Sequence, residues 1–129
     1  MIRLTTEIPP SVNACYNNNV GMGRGRMLTN EAKTWKAIAG YEAKQEAHRT
    51  RYQMPEKGDK IVIRIYAFWP DKRRRDMNNL HKLIADAFTN VLYHDDNVVL
   101  IRDMDYSLDK KNARIELVIG LKSEFDGGM

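Results

Sequence analysis

Apolar and polar positions alternate along three stretches of the chain and recur at helical spacing along two others. Residues 2–8 place Ile2, Leu4, Thr6 and Ile8 on one side, a short strand closed by Pro9-Pro10. Residues 11–27 have no period; Asn17-Asn18-Asn19 and Gly21-Met22-Gly23-Arg24-Gly25-Arg26 read as a loop. A helix is predicted from Thr29 or Asn30, either of which serves as a cap, with Glu31 in the first turn. Its apolar stripe is Trp35, Ile38, Ala39 and Ala43, and it runs to about His48. Pro55 and Gly58 mark a connection. Ile61–Trp69 is apolar on both faces, the pattern of a central strand, and Pro70 ends it. Leu80, Leu83, Ile84, Ala87, Phe88 and Val91 then form the stripe of a second helix, Asn79 to Val91. Val98–Tyr106 and Ala113–Leu121 read as a hairpin turning at residues 109–112, and Glu124–Met129 as a frayed tail. The order β-α-β-α-β-β predicts one α+β domain over residues 1–129, with two helices packed on a mixed sheet.

Composition narrows the function classes. A chain of 129 residues that is 43% hydrophobic is long and apolar enough for one core. No apolar run approaches the ~20 residues of a membrane span, and the first residues lack the pattern of a signal peptide. Cys15 is the single cysteine, which excludes an internal disulfide, and no Cys/His set has zinc-site spacing. These features lead us to expect a cytoplasmic protein with no membrane partner. The net charge of +4 favours an anionic partner weakly. The clustering of charge says more: Arg24/Arg26, Arg49/Arg51, Lys72-Arg73-Arg74-Arg75 and Lys110-Lys111 fall in or near loops, where they form a footprint for a phosphate backbone. The glycine-rich loop is either plain surface or an arm that carries Arg24 and Arg26 to DNA.

The candidate chemistry lies around the second helix. Lys72–Arg75 runs directly into Asp76 and Asn78 at the helix entrance, and His94-Asp95-Asp96-Asn97 follows the helix. Positive charge that attracts phosphate, beside oxygen groups that hold a hard cation, is what phosphodiester cleavage requires. Each element also has a plainer reading. Asp76 and Asn78 are suited to helix capping, with Asn78 as an ordinary N-cap. His-Asp-Asp-Asn makes a polar turn, in which one aspartate faces a metal and the other a backbone amide or a basic partner. Lys82, four residues after Asn78, is placed either to neutralise a scissile phosphate or to pair with Asp86. His81 and His94 remain outside the catalytic set. A helix from Asn79 to Val91 carries the chain about 20 Å along its axis. Convergence of Asp76, Asn78, Asp95 and Asp96 therefore needs the chain to return, and we expect that it does so.

At these residues the sequence resembles the RusA family of Holliday junction resolvases, endodeoxyribonucleases of bacteria, their phages and prophages. The resemblance rests on Pro70 through Lys82, then Asp86-Ala87-Phe88 and Asp95-Asp96. It extends to Pro9-Pro10-Ser11-Val12-Asn13 and to Gly25 through Glu31. It implies a small α+β homodimer that binds four-way DNA junctions and acts in recombination and repair. Paired symmetric nicks would be made with Mg²⁺, or Mn²⁺ as a substitute. It further implies that Asp76 and Asp96 are catalytic metal ligands, with Asp95 and Asn78 beside them. On the same resemblance Lys82 matches the family's lysine one turn into the helix and is expected to be catalytic. Asn79 matches the motif's asparagine, and together with the clustered cations Arg24, Arg26, Lys72, Arg73, Arg74 and Arg75 it is expected to contact DNA. Asn78 departs from the motif, which has a second aspartate there; an amide oxygen binds Mg²⁺ but brings no charge. Two alternatives stay open: a non-catalytic junction-binding protein with a weakened metal site, and, ranked below it, a single-strand binder.

Overall fold

The computed structural model describes residues 1–10, 16–19 and 24–126, with side chains from Leu28 onward in the last of these. Its centre is a four-stranded mixed sheet, in the order β1-β6-β4-β5. The strands are β1 (Ile2–Thr6), β4 (Ile61–Trp69), β5 (Val99–Leu108) and β6 (Arg114–Leu121). β4 has the two-sided apolar pattern and takes the interior position, antiparallel to β6 and parallel to β5. One face of the sheet, including Ile61, Ile63, Ile65, Ile115, Leu117 and Ile119, is buried under α1 (Asn30–Arg49) and α2 (Asn78–Ala87). The expected α+β class with two helices on a mixed sheet holds, and a short third helix, α3 (Lys122–Asp126), follows β6.

Thr29 caps α1, its side chain accepting from the Ala32 amide at 3.2 Å. The helix buries Ala32, Trp35, Ala39 and Ala43, but Ile38, placed in the stripe from its spacing, is 52% exposed. Its position lies one step around the helix from the line that meets the sheet.

Four expectations need correction. Residues 11–27 are not wholly a loop, because β2 (Tyr16–Asn19) and β3 (Arg24–Leu28) pair antiparallel as a separate ribbon. The asparagines and glycines that argue against strand are accommodated by backbone pairing with a register shift between Asn17 and Asn19. Arg24 and Arg26 fall in β3, and their side chains lie outside the described residues. The proposed hairpin of the last two strands is absent, since β5 and β6 lie on opposite sides of β4. The connection between them crosses the end of β4, where the Asp109 amide donates to the Trp69 carbonyl at 2.8 Å. A strand buried on both faces needs a neighbour on each side, and that outweighs the closeness of β5 and β6 in sequence. The tail is not wholly frayed either. In α3, Asp126 receives two hydrogen bonds from Arg102, at 2.9 and 2.7 Å, and is paired with Lys122. These cations hold its carboxyl well below the usual carboxylate range.

The fourth correction concerns α2, which ends at Ala87, short of Val91. Asn90 takes a left-handed conformation (φ 65°), which asparagine tolerates better than most residues. The Thr89 hydroxyl donates to the Ala85 carbonyl, and the Asn90 amide to the Tyr93 carbonyl. Phe88, Leu92 and Tyr93 are nonetheless buried, so the apolar run continues through a compact turn. The Tyr52 hydroxyl donates to Leu92 O at 2.6 Å, and burial pushes that phenol up to about 12. Phe88, fully buried, anchors this turn. Phe88→Ala should lower unfolding free energy by about 3–5 kcal/mol, read from the urea midpoint at unchanged slope.

Candidate active site

The first half of the site is the passage from β4 into α2. After Pro70 the chain turns on Asp71, whose carboxylate accepts from the Arg73 amide at 2.9 Å and from Arg75 Nη1 at 2.8 Å. Arg75 holds Asp71 ionised below its ordinary range. The same guanidinium lies 5.1 Å from the Trp69 ring centroid. Arg75 is therefore committed to holding the loop, while Lys72, Arg73 and Arg74 remain exposed. Of the four cations, these three have the freedom to follow a phosphate backbone.

Asp76 performs the local capping that spacing assigned to Asn78. Its Oδ1 accepts from the Asn78 amide at 3.0 Å, and its carbonyl accepts from the Asn79 amide at 3.1 Å. Asn78 is instead the first helical residue; the formal cap, Met77, makes no side-chain cap bond. Asp76 is exposed between two clefts that share it. One, of about 520 Å³, is lined by residues including Ile8, Trp69, Arg74, Asn79 and Leu80. The other, of about 620 Å³, runs past Lys72–Arg75 to Tyr106 and Leu108. Lys82 is exposed one turn further along α2.

The second half lies at the other end of α2. Asp95 precedes a short 3-10 turn, Asp96–Val98, and its Oδ1 accepts from the Asn97 amide at 3.0 Å. Asp96 faces Asp86 of the last turn of α2. Hydrogen bonding to Asp86 raises the Asp96 pKa first, followed by burial and by Asp95. Asp95 thus serves a backbone amide, while both it and Asp86 crowd the Asp96 carboxyl. Asp86 is the member of this group that sequence reasoning left out of the site. Its signal was the ten-residue interval to Asp96, which becomes a contact only once the helix ends early.

The structure does not bring the two halves together within one chain. α2 has 10 residues and so spans about 15 Å. Val99, just after Asp96, pairs with Ile61 at the start of β4, whereas Asp76 follows Trp69 at its end. The expected convergence of Asp76, Asn78, Asp95 and Asp96 in one chain is therefore overturned: a parallel strand-helix-strand crossover places its two loops at opposite ends of the sheet. Among the described residues, no three carboxylate, imidazole or thiol side chains are grouped to hold a metal. The donor types themselves suit a hard cation, all being oxygen. The crowding of negative charge at Asp86 and Asp96 is also a charge state that a cation would relieve.

A small α+β domain with exposed arginines entering a helix, and aspartates at both helix ends, has the features of a nucleic-acid enzyme. The model of the family described as Endodeoxyribonuclease RusA matches residues 7–120, and the chain belongs to that family. It is 32% identical over 121 residues to the Crossover junction endodeoxyribonuclease RusA of Escherichia coli strain K12. That alignment covers 90% of this chain and 91% of the relative. The proteins of that name from Enterobacteria phage 82 and Shigella sonnei match at the same identity and coverage. No helix among the described residues is long and apolar enough to cross a membrane.

Proposed function

We propose that the protein is a Holliday junction resolvase: a homodimer that nicks four-way DNA junctions symmetrically with Mg²⁺, or Mn²⁺ in its place. The observation that carries the assembly is the edge strand β5. Among the described residues its outer edge has no neighbouring strand, and Leu100, Met104, Tyr106 and Leu108 are all exposed on it. An unpaired edge of this length, with these apolar side chains flanking the charged Arg102, Asp103 and Asp105, is a template for pairing with another chain. Antiparallel pairing of two β5 edges about a two-fold axis sets the start of one strand beside the end of the other. Asp96 of one protomer then approaches Asp76 of its partner, so that each active site draws one half from each chain. Two such sites related by a two-fold axis suit a substrate cut at two symmetric positions.

In this arrangement Asp76 and Asp96 would hold the cation, with Asn78 and Asp95 beside them. The chemistry supplied by a bound Mg²⁺ is activation of water and neutralisation of phosphate charge. Lys82 adds positive charge to the phosphate at the α2 entrance. Lys72, Arg73 and Arg74, with Arg24, Arg26 and Asn79, hold the DNA backbone. Arg75, fixed by Asp71 and Trp69, keeps the basic loop in place.

The test is cleavage of a labelled four-way junction against duplex and single-stranded DNA across a Mg²⁺ titration. Paired nicks restricted to the junction support the reading. Tight junction binding with no cleavage in either metal would favour the non-catalytic alternative. In the same titration Asn78→Asp should lower the Mg²⁺ concentration needed, because the added carboxylate brings charge to a hard-cation site. Asn78 is the first residue of α2 and not its cap, so a shift in metal dependence is separable from helix capping. Superimposable titration curves would remove Asn78 from the site.

A further inference from the structure

His81 and Asp103 form a hydrogen-bonded pair between α2 and β5. His81 lies in α2 and Asp103 in β5, 22 residues apart. His81 Nε2 lies 2.8 Å from Asp103 Oδ1 and 3.0 Å from Oδ2. A carboxylate only accepts, so Nε2 carries the hydrogen and donates to both oxygens. In the neutral ring Nδ1 then keeps its lone pair, and both contacts with Asp103 are made through Nε2. The two side chains are 25% and 31% exposed, accessible to a ligand but held in place.

The pair is placed at the α2 entrance. His81 lies three residues after Asn78, and thus on the same helical face, and is next to Lys82. Asp103 is in register with Ile65, on the sheet face that the helices cover. Its charged neighbours Arg102 and Asp105 pair with Arg64 and Tyr66 and so point to the opposite face. The charged group facing His81 from β5 is therefore Asp103; Lys82, the next residue of α2, projects to a different side of the helix. Asn78 carries an amide, and Asp76 Oδ1 is engaged by the Asn78 backbone.

Resting on the nuclease reading, we infer that His81 is the general base of the cleavage reaction and that Asp103 is its positioning residue. As the water oxygen bonds to phosphorus, the bond from phosphorus to one ester oxygen breaks and its electron pair leaves with that oxygen. The proton released by the water passes to His81 Nδ1. The departing oxygen takes a proton from solvent, and His81 later returns its own to solvent. Asp103 fixes the tautomer that leaves Nδ1 unprotonated and stabilises the imidazolium that forms.

Two measurements test this. In metal-free protein, ¹⁵N NMR of the imidazoles, assigned by loss of the signal in His81→Gln, should show His81 protonated at Nε2 and bare at Nδ1. Asp103→Asn should disturb that pattern. A His81 ring protonated at Nδ1 instead would overturn the inference. Single-turnover junction cleavage should fall about 10²–10⁴-fold in His81→Gln, with unchanged junction affinity and loss of the acid limb of the pH profile. Glutamine still donates to Asp103, so a bridge that only joins α2 to β5 predicts wild-type rate and pH profile in that variant; that result overturns the base. Added imidazole should restore part of the rate of His81→Ala. A wild-type protein that nicks no junction would sink the nuclease reading itself, whereas an active wild type with an equally active His81→Gln sinks this inference alone.

Discussion

Asp76→Asn is expected to abolish junction cleavage while leaving junction binding in place. Loss of an outer-shell partner of a metal costs roughly 10–100-fold, so loss of a ligand that carries charge should exceed that. Folding should be preserved, because asparagine accepts the hydrogen bond from the Asn78 amide about as well as aspartate does. Metal-free junction affinity should be unchanged or slightly tighter, since one negative charge facing phosphate is removed. Single-turnover cleavage with gel-shift binding on the same samples makes the comparison. Full activity in this variant would remove Asp76 from the chemistry.

The second large effect is expected at the β5 edge. The double variant Leu100→Lys, Tyr106→Lys places two charges on a strand edge, the device by which natural edge strands avoid pairing. Both residues are already exposed in the single chain, so the protomer should keep its fold, with about 0.5 kcal/mol or less of change per site. The dimer should dissociate, and cleavage should be lost with it although none of the proposed metal-holding or DNA-contacting residues has changed. Light scattering and junction cleavage at matched concentrations provide the readout. A monomer that still makes paired nicks would contradict the composite site.

The sequence was most informative where local pattern and tertiary environment agree. Ile61–Trp69 is apolar on both faces and bounded by Pro70, and it is the interior strand over the same residues. The start of α1 was legible to within one residue, Thr29 or Asn30, and it is Thr29 whose side chain takes the Ala32 amide. Misreadings arose where distant contacts decide. The apolar period runs through Phe88 and toward Val91, but those residues are sequestered by a turn, with Thr89 and Asn90 the local signals that the helix stops. β2 and β3 have little apolar alternation and are joined by backbone pairing, which composition does not reveal. β5 and β6 are adjacent in sequence and separated by β4 in the sheet.

The candidate site divides in the same way. The basic loop and Asp76 were legible as a unit, because they are consecutive. Residue spacing did not distinguish Arg75, locked onto Asp71 and Trp69, from its exposed neighbours. The meeting of Asp86 with Asp96 and of His81 with Asp103 depends on where α2 ends and on which strand lies beside β4. The separation of Asp76 from Asp96 follows from the same topology and is what turns the account toward two chains.

Subunit mixing tests that account most directly. Asp76→Asn and Asp96→Asn proteins, each inactive alone, are mixed, allowed to exchange subunits and assayed on a four-way junction. In a composite dimer, one site of the mixed species carries both lesions and the other carries none, so single-strand nicking should return to the mixture without efficient paired cleavage. If each chain instead builds its own complete site, every site in the mixed dimer carries a lesion, and a mixture as inactive as its components, with exchange confirmed, would contradict the account.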